Sequence, residues 1–192
     1  MRVLVVSDTH DNMYVVGKLI EIINREKPDM VIHCGDYISP FMIRTLAKIK
    51  VKIVGVWGNN DGDKQTILNI ISGTDFSIVP QPREIQIANL STLIIHGWQS
   101  PEKTKRLVRG LARSGEYKLV IYGHTHKQDI TIVSNGEIEE LPIEKFEIGA
   151  EEFDTLIINP GEACGWLTDK RTFFLLSVDN RIIVEPREIP IE

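Results

Sequence analysis

The chain has 192 residues, a length that suits one domain with a substantial buried core. Hydrophobic residues make up 42% and charged residues 26% of the sequence, and the formal net charge is -5. A chain this acidic has no long-range attraction for nucleic acid or an anionic membrane, so we expect neither as a partner. An anionic substrate would need a local positive source, and a bound metal ion is one.

The cysteines and the apolar runs narrow the class further. Cys34 and Cys164 lie far apart and form no CxxC motif, which argues against a disulfide framework and a structural zinc site. The first apolar run, 3–6, is too short for a signal sequence or a membrane span, and no later run approaches spanning length. We therefore expect a soluble, cytoplasmic protein.

The first half of the chain alternates short apolar runs with apolar residues at helical spacing. In chain order we predict strand 3–6, a helix after Asn12 that ends by Pro28, strand 30–32, a helix that Ser39 caps and Pro40 begins, strand 53–56 and helix 62–71. This β-α-β-α-β order implies right-handed crossovers and a largely parallel sheet.

The second half is richer in strands. We predict strands at 76–79, 85–87, 93–95, 119–122, 130–133, 156–158, 173–178 and 182–184, with a helix at 101–113. Asp179-Asn180 is the hairpin turn between the last two strands. The basic residues of the 101–113 helix alternate with apolar ones, which is typical of a solvated helix face. Two packed sheets with helices outside would accommodate this pattern.

The stretch 135–154 differs from its surroundings because it carries seven glutamates and only one lysine. We interpret it as an acidic insertion or extended loop within a single domain of residues 1–192. A solvated pair of strands is an equally good interpretation of the same pattern.

Five short motifs follow apolar strands and bring metal-capable side chains, most of them with glycine nearby. They are VSDTH with Asp8 and His10, HCGD with Asp36, GNND with Asn59, Asn60 and Asp61, IIHG with His96, and GHTH with His124 and His126. Open α/β folds place their sites beyond the carboxyl ends of strands. Each motif alone is weak, since a lone strand-end histidine is usually a packing residue, but four of the five histidines fall in the set.

The donor atoms of these motifs favour a dinuclear metal site. Carboxylate, imidazole and amide oxygen together suit divalent Mn, Fe, Co, Ni or Zn. Seven such ligands are too many for one ion, but they suffice for two ions if one carboxylate bridges them.

The ordered series D-x-H, G-D, G-N-x-D, H-G and G-H-x-H resembles the calcineurin-like metallophosphoesterase superfamily. The short length and the segment Asn159-Pro160-Gly161 resemble its compact bacterial and archaeal phosphodiesterase branch. The resemblance implies a four-layer α/β/β/α sandwich. It also implies two metal sites that share Asp36. The first site would comprise Asp8, His10, Asp36 and His126, and the second Asp36, Asn59, His96 and His124.

The ligand set predicts a dinuclear metal-dependent phosphoesterase acting on a small phosphate ester. A metal-bridging hydroxide would attack phosphorus, and no side-chain nucleophile is needed. The sequence offers none, since it lacks a GxSxG, a P-loop and a cysteine paired with a spare histidine. Asp61 is expected to orient a ligand, for example a histidine. Phosphodiesterase is favoured, with phosphomonoesterase as the alternative.

Two positions depart from the superfamily pattern. Many members carry a histidine directly after the ligand asparagine, and here that residue is Asn60, which cannot act as a general acid near neutral pH. We therefore predict slow turnover of alkyl monoesters and faster turnover of diesters with good leaving groups. Glu162 replaces a small hydroxyl residue after Asn-Pro-Gly, and a carboxylate there would repel phosphate or narrow the site. His33 is expected to be structural and Cys34 to be buried.

Other classes of function remain open from the sequence. A protein-binding scaffold on the same fold without turnover is one, although every ligand position here is filled. A nuclease is another, although the chain shows no basic groove. The apolar residues Trp166 and Leu167 are consistent with a homo-oligomer contact and equally with core packing.

Overall fold

A computed structural model of the chain describes residues 1–190. Seven of its strands form a first sheet in the spatial order β10-β13-β12-β1-β2-β3-β4. Named in chain order, these are β1 (Arg2–Val6), β2 (Met30–His33), β3 (Lys52–Val56), β4 (Phe76–Val79), β10 (Phe146–Gly149), β12 (Thr172–Val178) and β13 (Arg181–Glu188). Strands β1 to β4 are mutually parallel, as the alternation of strands and helices predicts.

Six strands form a second sheet in the spatial order β5-β6-β7-β11-β8-β9. They are β5 (Arg83–Ile87), β6 (Leu90–Ile95), β7 (Leu119–Tyr122), β8 (Gln128–Ser134), β9 (Glu137–Glu140) and β11 (Thr155–Pro160). Strands β6, β7 and β11 are parallel, and the other three pair antiparallel with their neighbours.

The helices begin at residues that satisfy their first backbone N–H groups. They are α1 (Met13–Glu26), α2 (Pro40–Leu46), α3 (Lys64–Ile71) and α4 (Pro101–Ala112). Asn12 caps α1, and Ser39 and Ser100 cap α2 and α4 just before a proline. Helix α3 begins two residues later than predicted because Asp63 is its N-cap.

Three apolar layers hold the sheets and helices together. Along β1, Val3 and Val5 face the second sheet, whereas Leu4 and Val6 face α1, α2 and α3. On the far side of the second sheet, α4 buries Val108 and Ala112 against β6, β7 and β11. The layers are therefore α/β/β/α, which confirms the predicted fold class.

The acidic segment 135–154 contains two strands, and each joins a different sheet. Strand β9 pairs with β8 in the second sheet, and β10 pairs with β13 in the first. The segment is therefore neither an extended loop nor a strand pair of its own. It crosses from one sheet to the other and forms an edge strand of each.

Two further features bear on how the chain meets its surroundings. None of the helices within residues 1–190 is long and apolar enough to cross a membrane. Trp166 and Leu167 are 59% and 74% exposed, which rules out core packing as the reason for their apolar character.

Candidate metal centre

The predicted site residues follow five strands whose carboxyl ends lie at one edge of the sandwich. In the first sheet, Asp8 and His10 follow β1, Asp36 follows β2, and Asn59 follows β3; in the second, His96 follows β6, and His124 and His126 follow β7. Because β1, β2 and β3 are parallel, as are β6 and β7, the loops after them converge. The fold thus brings all seven predicted ligands together.

The backbone at this edge is strained. Five of the seven residues adopt positive φ angles, from 42° at His10 to 67° at His124, and the others are Asp8, Asp36 and His126. Non-glycine residues rarely adopt this conformation, and it persists only where surrounding contacts enforce it. Clustered strain of this kind is typical of a functional site.

Glycines allow the loops to approach one another. A Cβ on Gly58 would overlap the Asp36 carboxylate. A Cβ on Gly35, where φ is +96°, would lie 2.7 Å from the backbone nitrogen of Gly58 and 2.8 Å from His96 Nδ1. Glycine is therefore required at both positions for the loops after β2 and β3 to pack against each other.

Asp8, His10, Asp36 and His126 form one half of the site. His10 Nε2 lies 3.6 Å from Asp8 Oδ1 and 3.5 Å from Asp36 Oδ2. His126 Nε2 lies 3.4 Å from the same Asp8 oxygen. Asp8 Oδ1 and His10 Nε2 are both buried and have no hydrogen-bond partner within residues 1–190. Since buried polar atoms are almost always paired, this half of the site fits a cation between them.

Asp36, Asn59, His96 and His124 form the other half. His96 Nε2 lies 3.0 Å from Asn59 Oδ1, 3.4 Å from Asp36 Oδ2 and 3.3 Å from His124 Nδ1. Asp36 Oδ2 is thus within 3.5 Å of a histidine nitrogen from each half. This is the position that a bridging carboxylate oxygen would need.

Three of the four histidines use one ring nitrogen to contact an outer oxygen and point the other inward. His96 Nδ1 donates to the Cys34 carbonyl at 2.7 Å, and His124 Nε2 donates to the Gln99 carbonyl at 2.7 Å. His126 Nδ1 donates to Glu162 Oε2 at 2.8 Å. Such bonds fix the tautomer of a metal-binding histidine, so the inward nitrogens can act as ligands.

The electrostatics of the cluster favour positive charge within it. Burial would lower the pKa of His10, but its 3.6 Å contact with the Asp8 carboxylate and the charges of Asp8 and Asp36 outweigh burial and raise the pKa. Burial would raise the pKa of Asp36, but the His96 contact and the bonds from Asn60 hold it well below its usual range. The carboxylates are therefore ionised near neutral pH, as metal ligands must be.

The hydrogen bonds of the Asp61 carboxylate are to the backbone of two loops. From the sequence, a histidine is the expected example of a ligand that Asp61 would orient. Its carboxylate accepts backbone N–H groups of Tyr37 at 2.6 Å, Gly58 at 2.7 Å, Ile38 at 2.8 Å and Asp36 at 3.2 Å. Asp61 therefore ties the loop after β2 to the loop after β3, and it orients Asp36 through the backbone.

Glu162 is completely buried and hydrogen-bonded, so its carboxylate is not exposed in the site, and the expected repulsion of phosphate stays a prediction. One of its oxygens accepts from His126, and the pair of oxygens also accepts backbone N–H groups of Trp166, Leu167 and Thr168. Burial would raise its pKa, but the bonds from Cys164, His126 and Thr168 outweigh it and lower the pKa to about 2. Glu162 is thus an ionised support for His126.

Asn60 is held against Asp36. Its backbone N–H donates to Asp36 Oδ1 at 2.8 Å, and its side-chain Nδ2 donates to Asp36 Oδ2 at 2.7 Å. Both oxygens of the central carboxylate therefore contact this residue. The side chain is exposed, at the open side of the cluster.

His33 and Cys34 are buried, as expected. His33 Nδ1 accepts the Gly35 N–H, which assigns the ring proton to Nε2, 3.0 Å from Thr9 Oγ1. Burial lowers the pKa of His33 to about 3 and raises that of the Cys34 thiol. His33 also stacks on Tyr37 with ring centroids 3.9 Å apart.

Cys164 is a potential ligand that the sequence did not indicate. Its thiol lies in a group with His10 and His126 whose donor atoms are all within 4.8 Å of one another. It donates to Glu162 Oε2 at 3.0 Å, and burial together with this carboxylate raises its pKa to about 12. The thiol is therefore protonated near neutral pH, when it is a poor ligand.

Residues 1–181 match the family model of the calcineurin-like phosphoesterase superfamily domain. The chain therefore belongs to the calcineurin-like phosphoesterase superfamily, and it is a hydrolase of phosphoric esters by that membership. A phosphodiesterase of Methanocaldococcus jannaschii is 32% identical to it over 193 residues, with 100% of each chain covered. The resemblance drawn from the five motifs is confirmed.

Solved structures share the fold. An archaeal phosphodiesterase has a TM-score of 0.74 and 31% identity, with 100% of each chain covered. A single mutant of Vps29 from Entamoeba histolytica has a TM-score of 0.63 and 20% identity, again over 100% of each chain. At that identity the likeness to Vps29 concerns the fold alone.

Proposed function

We propose that this protein is a dinuclear metal-dependent phosphodiesterase that acts on small phosphate esters. The observation that carries the proposal is the convergence of six candidate ligand side chains with Asp36, where Asp8 Oδ1 and His10 Nε2 are buried and have no hydrogen-bond partner among the described residues. Two divalent ions bound there would supply Lewis acidity and lower the pKa of water towards neutrality. Mn, Ni, Fe, Co and Zn all suit this donor set.

Each ligand residue has a proposed role. Asp8, His10 and His126 would hold one ion, Asn59, His96 and His124 the other, and Asp36 both. Asp61 would hold the Asp36 loop in place through its backbone bonds, and Glu162 would hold His126. Within residues 1–190 no serine, cysteine or lysine in the cluster is paired with a free histidine as an activated nucleophile, which supports attack by water.

Diesters are favoured over monoesters for two reasons. The relative from Methanocaldococcus jannaschii and the archaeal structural neighbour are both described as phosphodiesterases. In addition, Asn60 occupies the exposed position beside Asp36 and cannot protonate a leaving group near neutral pH. Aryl diesters, whose leaving groups need no proton, should therefore react faster than alkyl monoesters.

The test is hydrolysis of bis-p-nitrophenyl phosphate and p-nitrophenyl phosphate by metal-stripped protein, with Mn, Ni, Co, Zn or Mg added back. We expect metal-dependent hydrolysis that is faster on the diester. Asp36→Asn and His96→Ala should each abolish it, because Asp36 contacts both halves of the site and His96 lies between Asp36 and Asn59.

Asp75→Asn is the matched control for Asp36→Asn. It makes the same chemical change at an exposed residue that precedes β4, at the opposite edge of the first sheet, and it should leave turnover unchanged. If two ions bind tightly but no metal supports hydrolysis of either ester, the phosphodiesterase proposal fails. The non-catalytic scaffold on the same fold would then be the better account.

A cytoplasmic location and a small-molecule substrate belong to this proposal. The formal net charge of -5 argues against a nuclease, because a chain this acidic has no long-range attraction for nucleic acid. The exposed pair Trp166 and Leu167 leaves a homo-oligomer open, since exposed apolar residues are common at subunit contacts.

A further inference from the structure

The segment 162–168 brings an exposed tryptophan beside the candidate metal centre. The indole of Trp166 lies with its ring centroid 5.7 Å from that of His10, and the two ring planes are inclined by 42°. Trp166 is open to solvent, since the residue is 59% exposed. A large aromatic surface therefore borders the half of the site that contains His10 and His126.

The backbone that carries Trp166 is fixed. Glu162 accepts the backbone N–H of Trp166 at 3.1 Å and of Leu167 at 2.9 Å, and it is itself completely buried. At the start of the segment, Cys164 N–H donates to the Asp8 carbonyl at 3.0 Å, and Asn12 Nδ2 donates to the Cys164 carbonyl at 3.0 Å. The indole is thus held on the same framework as the ligands, so little ordering is needed when it binds a partner.

We propose that Trp166 is a binding wall for a planar aromatic substituent of the phosphate ester. The inference rests on the proposed function, because it assumes that the phosphoryl group binds at the ions held by His10 and His126. Because the indole lies 5.7 Å from the His10 ring, a substituent on a phosphoryl group bound beside His10 would have the indole as a neighbour. Aromatic faces stack favourably, whereas an alkyl group of one carbon has no face to stack.

The experiment measures binding rather than turnover, so leaving-group effects play no part. Metal-loaded protein is titrated calorimetrically with phenylphosphonate and with methylphosphonate, which share the phosphonate group and differ in the ring. We expect phenylphosphonate to bind more tightly. Trp166→Ala should weaken it about five- to tenfold and leave methylphosphonate unchanged.

Two variants distinguish an effect of the indole ring from an effect on the loop that carries it. Trp166→Phe keeps an aromatic face and should retain most of the preference for phenylphosphonate. Leu167→Ala removes the neighbouring side chain, which is 74% exposed, and should change neither affinity.

The outcomes distinguish this inference from the proposed function. If neither phosphonate binds the wild-type protein with metal present, that result contradicts both the proposed phosphoesterase site and the proposed role of Trp166. If both phosphonates bind with equal affinity, or if Trp166→Ala lowers both affinities equally, the proposed phosphoesterase site is retained and the proposed role of Trp166 is wrong. Sedimentation that shows a dimer broken by Trp166→Ala would assign the indole to a contact between copies and overturn the wall.

Discussion

Glu162 shows how a residue that departs from a family pattern can serve the same site by a different contact. Its buried carboxylate accepts the Nδ1 proton of His126, and the other ring nitrogen faces Asp8. A carboxylate behind a ligand histidine fixes its tautomer and strengthens it as a donor. Glu162 would thus act on a bound ion through His126.

We predict that Glu162→Gln lowers the affinity for one of the two ions by about 10–100-fold. Glutamine is neutral, and its amide group would place hydrogens against the donors of Trp166, Leu167 and Thr168. Competition with a chromophoric chelator measures the affinity of each protein for the two ions. Glu144→Gln, the same change at an exposed residue, is the control, and equal affinities in the two variants would refute the role of Glu162.

His33 predicts a pH dependence of the metal-free protein. Its pKa is lowered from 6.5 to about 3 because burial disfavours the charged ring, so the fold requires the neutral form. The contribution of neutral His33 to the free energy of unfolding is complete above pH 6.5 and is lost as the pH falls from 6.5 towards 3. The rate of loss approaches about 1.4 kcal/mol per pH unit.

His33→Gln should therefore reduce the fall in unfolding free energy between pH 7 and pH 4.5. His10 and His96, whose pKa values are raised, act in the opposite sense and are common to both proteins. Urea denaturation of metal-free wild type and variant at several pH values gives the difference. Parallel pH profiles would contradict the assignment of a buried neutral His33.

The clustering of the candidate ligands could be predicted from the sequence, and Asp61 could be assigned a supporting role, but the contacts that the supporting residues make could not be predicted. Asp8, His10 and the other ligands stand in short motifs directly after apolar runs, so their chemistry and position are local signals. Glu162 lies 36 residues from His126, and Asp61 lies 25 residues from Asp36. Such contacts are set by how the loops pack, and no spacing along the chain encodes them.

At the level of loops and strands, Asp61 joins the segments after β2 and β3. It is 8% exposed and accepts four backbone N–H groups, from Asp36, Tyr37, Ile38 and Gly58. Helix α3 consequently begins only after Asp61, with Asp63 as its cap. The predicted helix start at Gly62 missed this because the pattern of apolar residues carries no information on which aspartate is the cap.

Asp61→Asn should lower the unfolding free energy by about 1–3 kcal/mol. Asparagine offers one acceptor oxygen, so some of the buried N–H groups would lose their partner. Urea denaturation of the metal-free protein measures the change, with Asp75→Asn as an exposed control. A loss below about 0.5 kcal/mol would show that the loops hold their arrangement without Asp61.

Strand β10 of the acidic segment depends on apolar packing more than on its charges. Arg181 pairs with Glu147 at 2.5 Å and with Glu152 at 3.4 Å, but all three side chains are roughly half exposed. Exposed pairs contribute about 0–1 kcal/mol. Ile182, which is opposite Ile148 in the β10–β13 register, is completely buried in the layer between the sheets.

Arg181→Ala should therefore cost less than about 1 kcal/mol, and Ile182→Ala about 2–5 kcal/mol. The charge pattern of 135–154 identified an unusual segment but could not assign its strands, because each pairs with a partner distant in sequence. Thermal or urea unfolding of both variants gives the comparison. A larger loss in Arg181→Ala would mean that ion pairs hold β10 in place.

For the whole molecule, the apolar runs indicate that the first sheet is covered on both faces. Strands such as β1 are apolar on both faces, with Val3 and Val5 against one sheet and Leu4 and Val6 against helices. Only a sheet covered on both sides satisfies such a strand. The apolar runs thus predict a covered sheet and the parallel half of the first sheet, and the family resemblance implies the four layers, whereas the antiparallel pairings of β10, β12 and β13 come from long-range contacts.

The two sheets meet at the candidate metal centre, with ligands from both. Asp8, Asp36 and Asn59 follow strands of the first sheet, and His96 and His126 follow strands of the second. Ions bound there would link the two halves of the sandwich. The central claim is therefore that two ions bind between the sheets and share Asp36.

Anomalous diffraction from crystals soaked in Mn²⁺ tests this claim most directly. We predict two anomalous peaks about 3.5–4 Å apart, both in contact with Asp36, one beside His10 and His126 and the other beside His96. A single peak, or a peak bound by His10, His126 and Cys164 without Asp36, would contradict the dinuclear site and the function proposed from it.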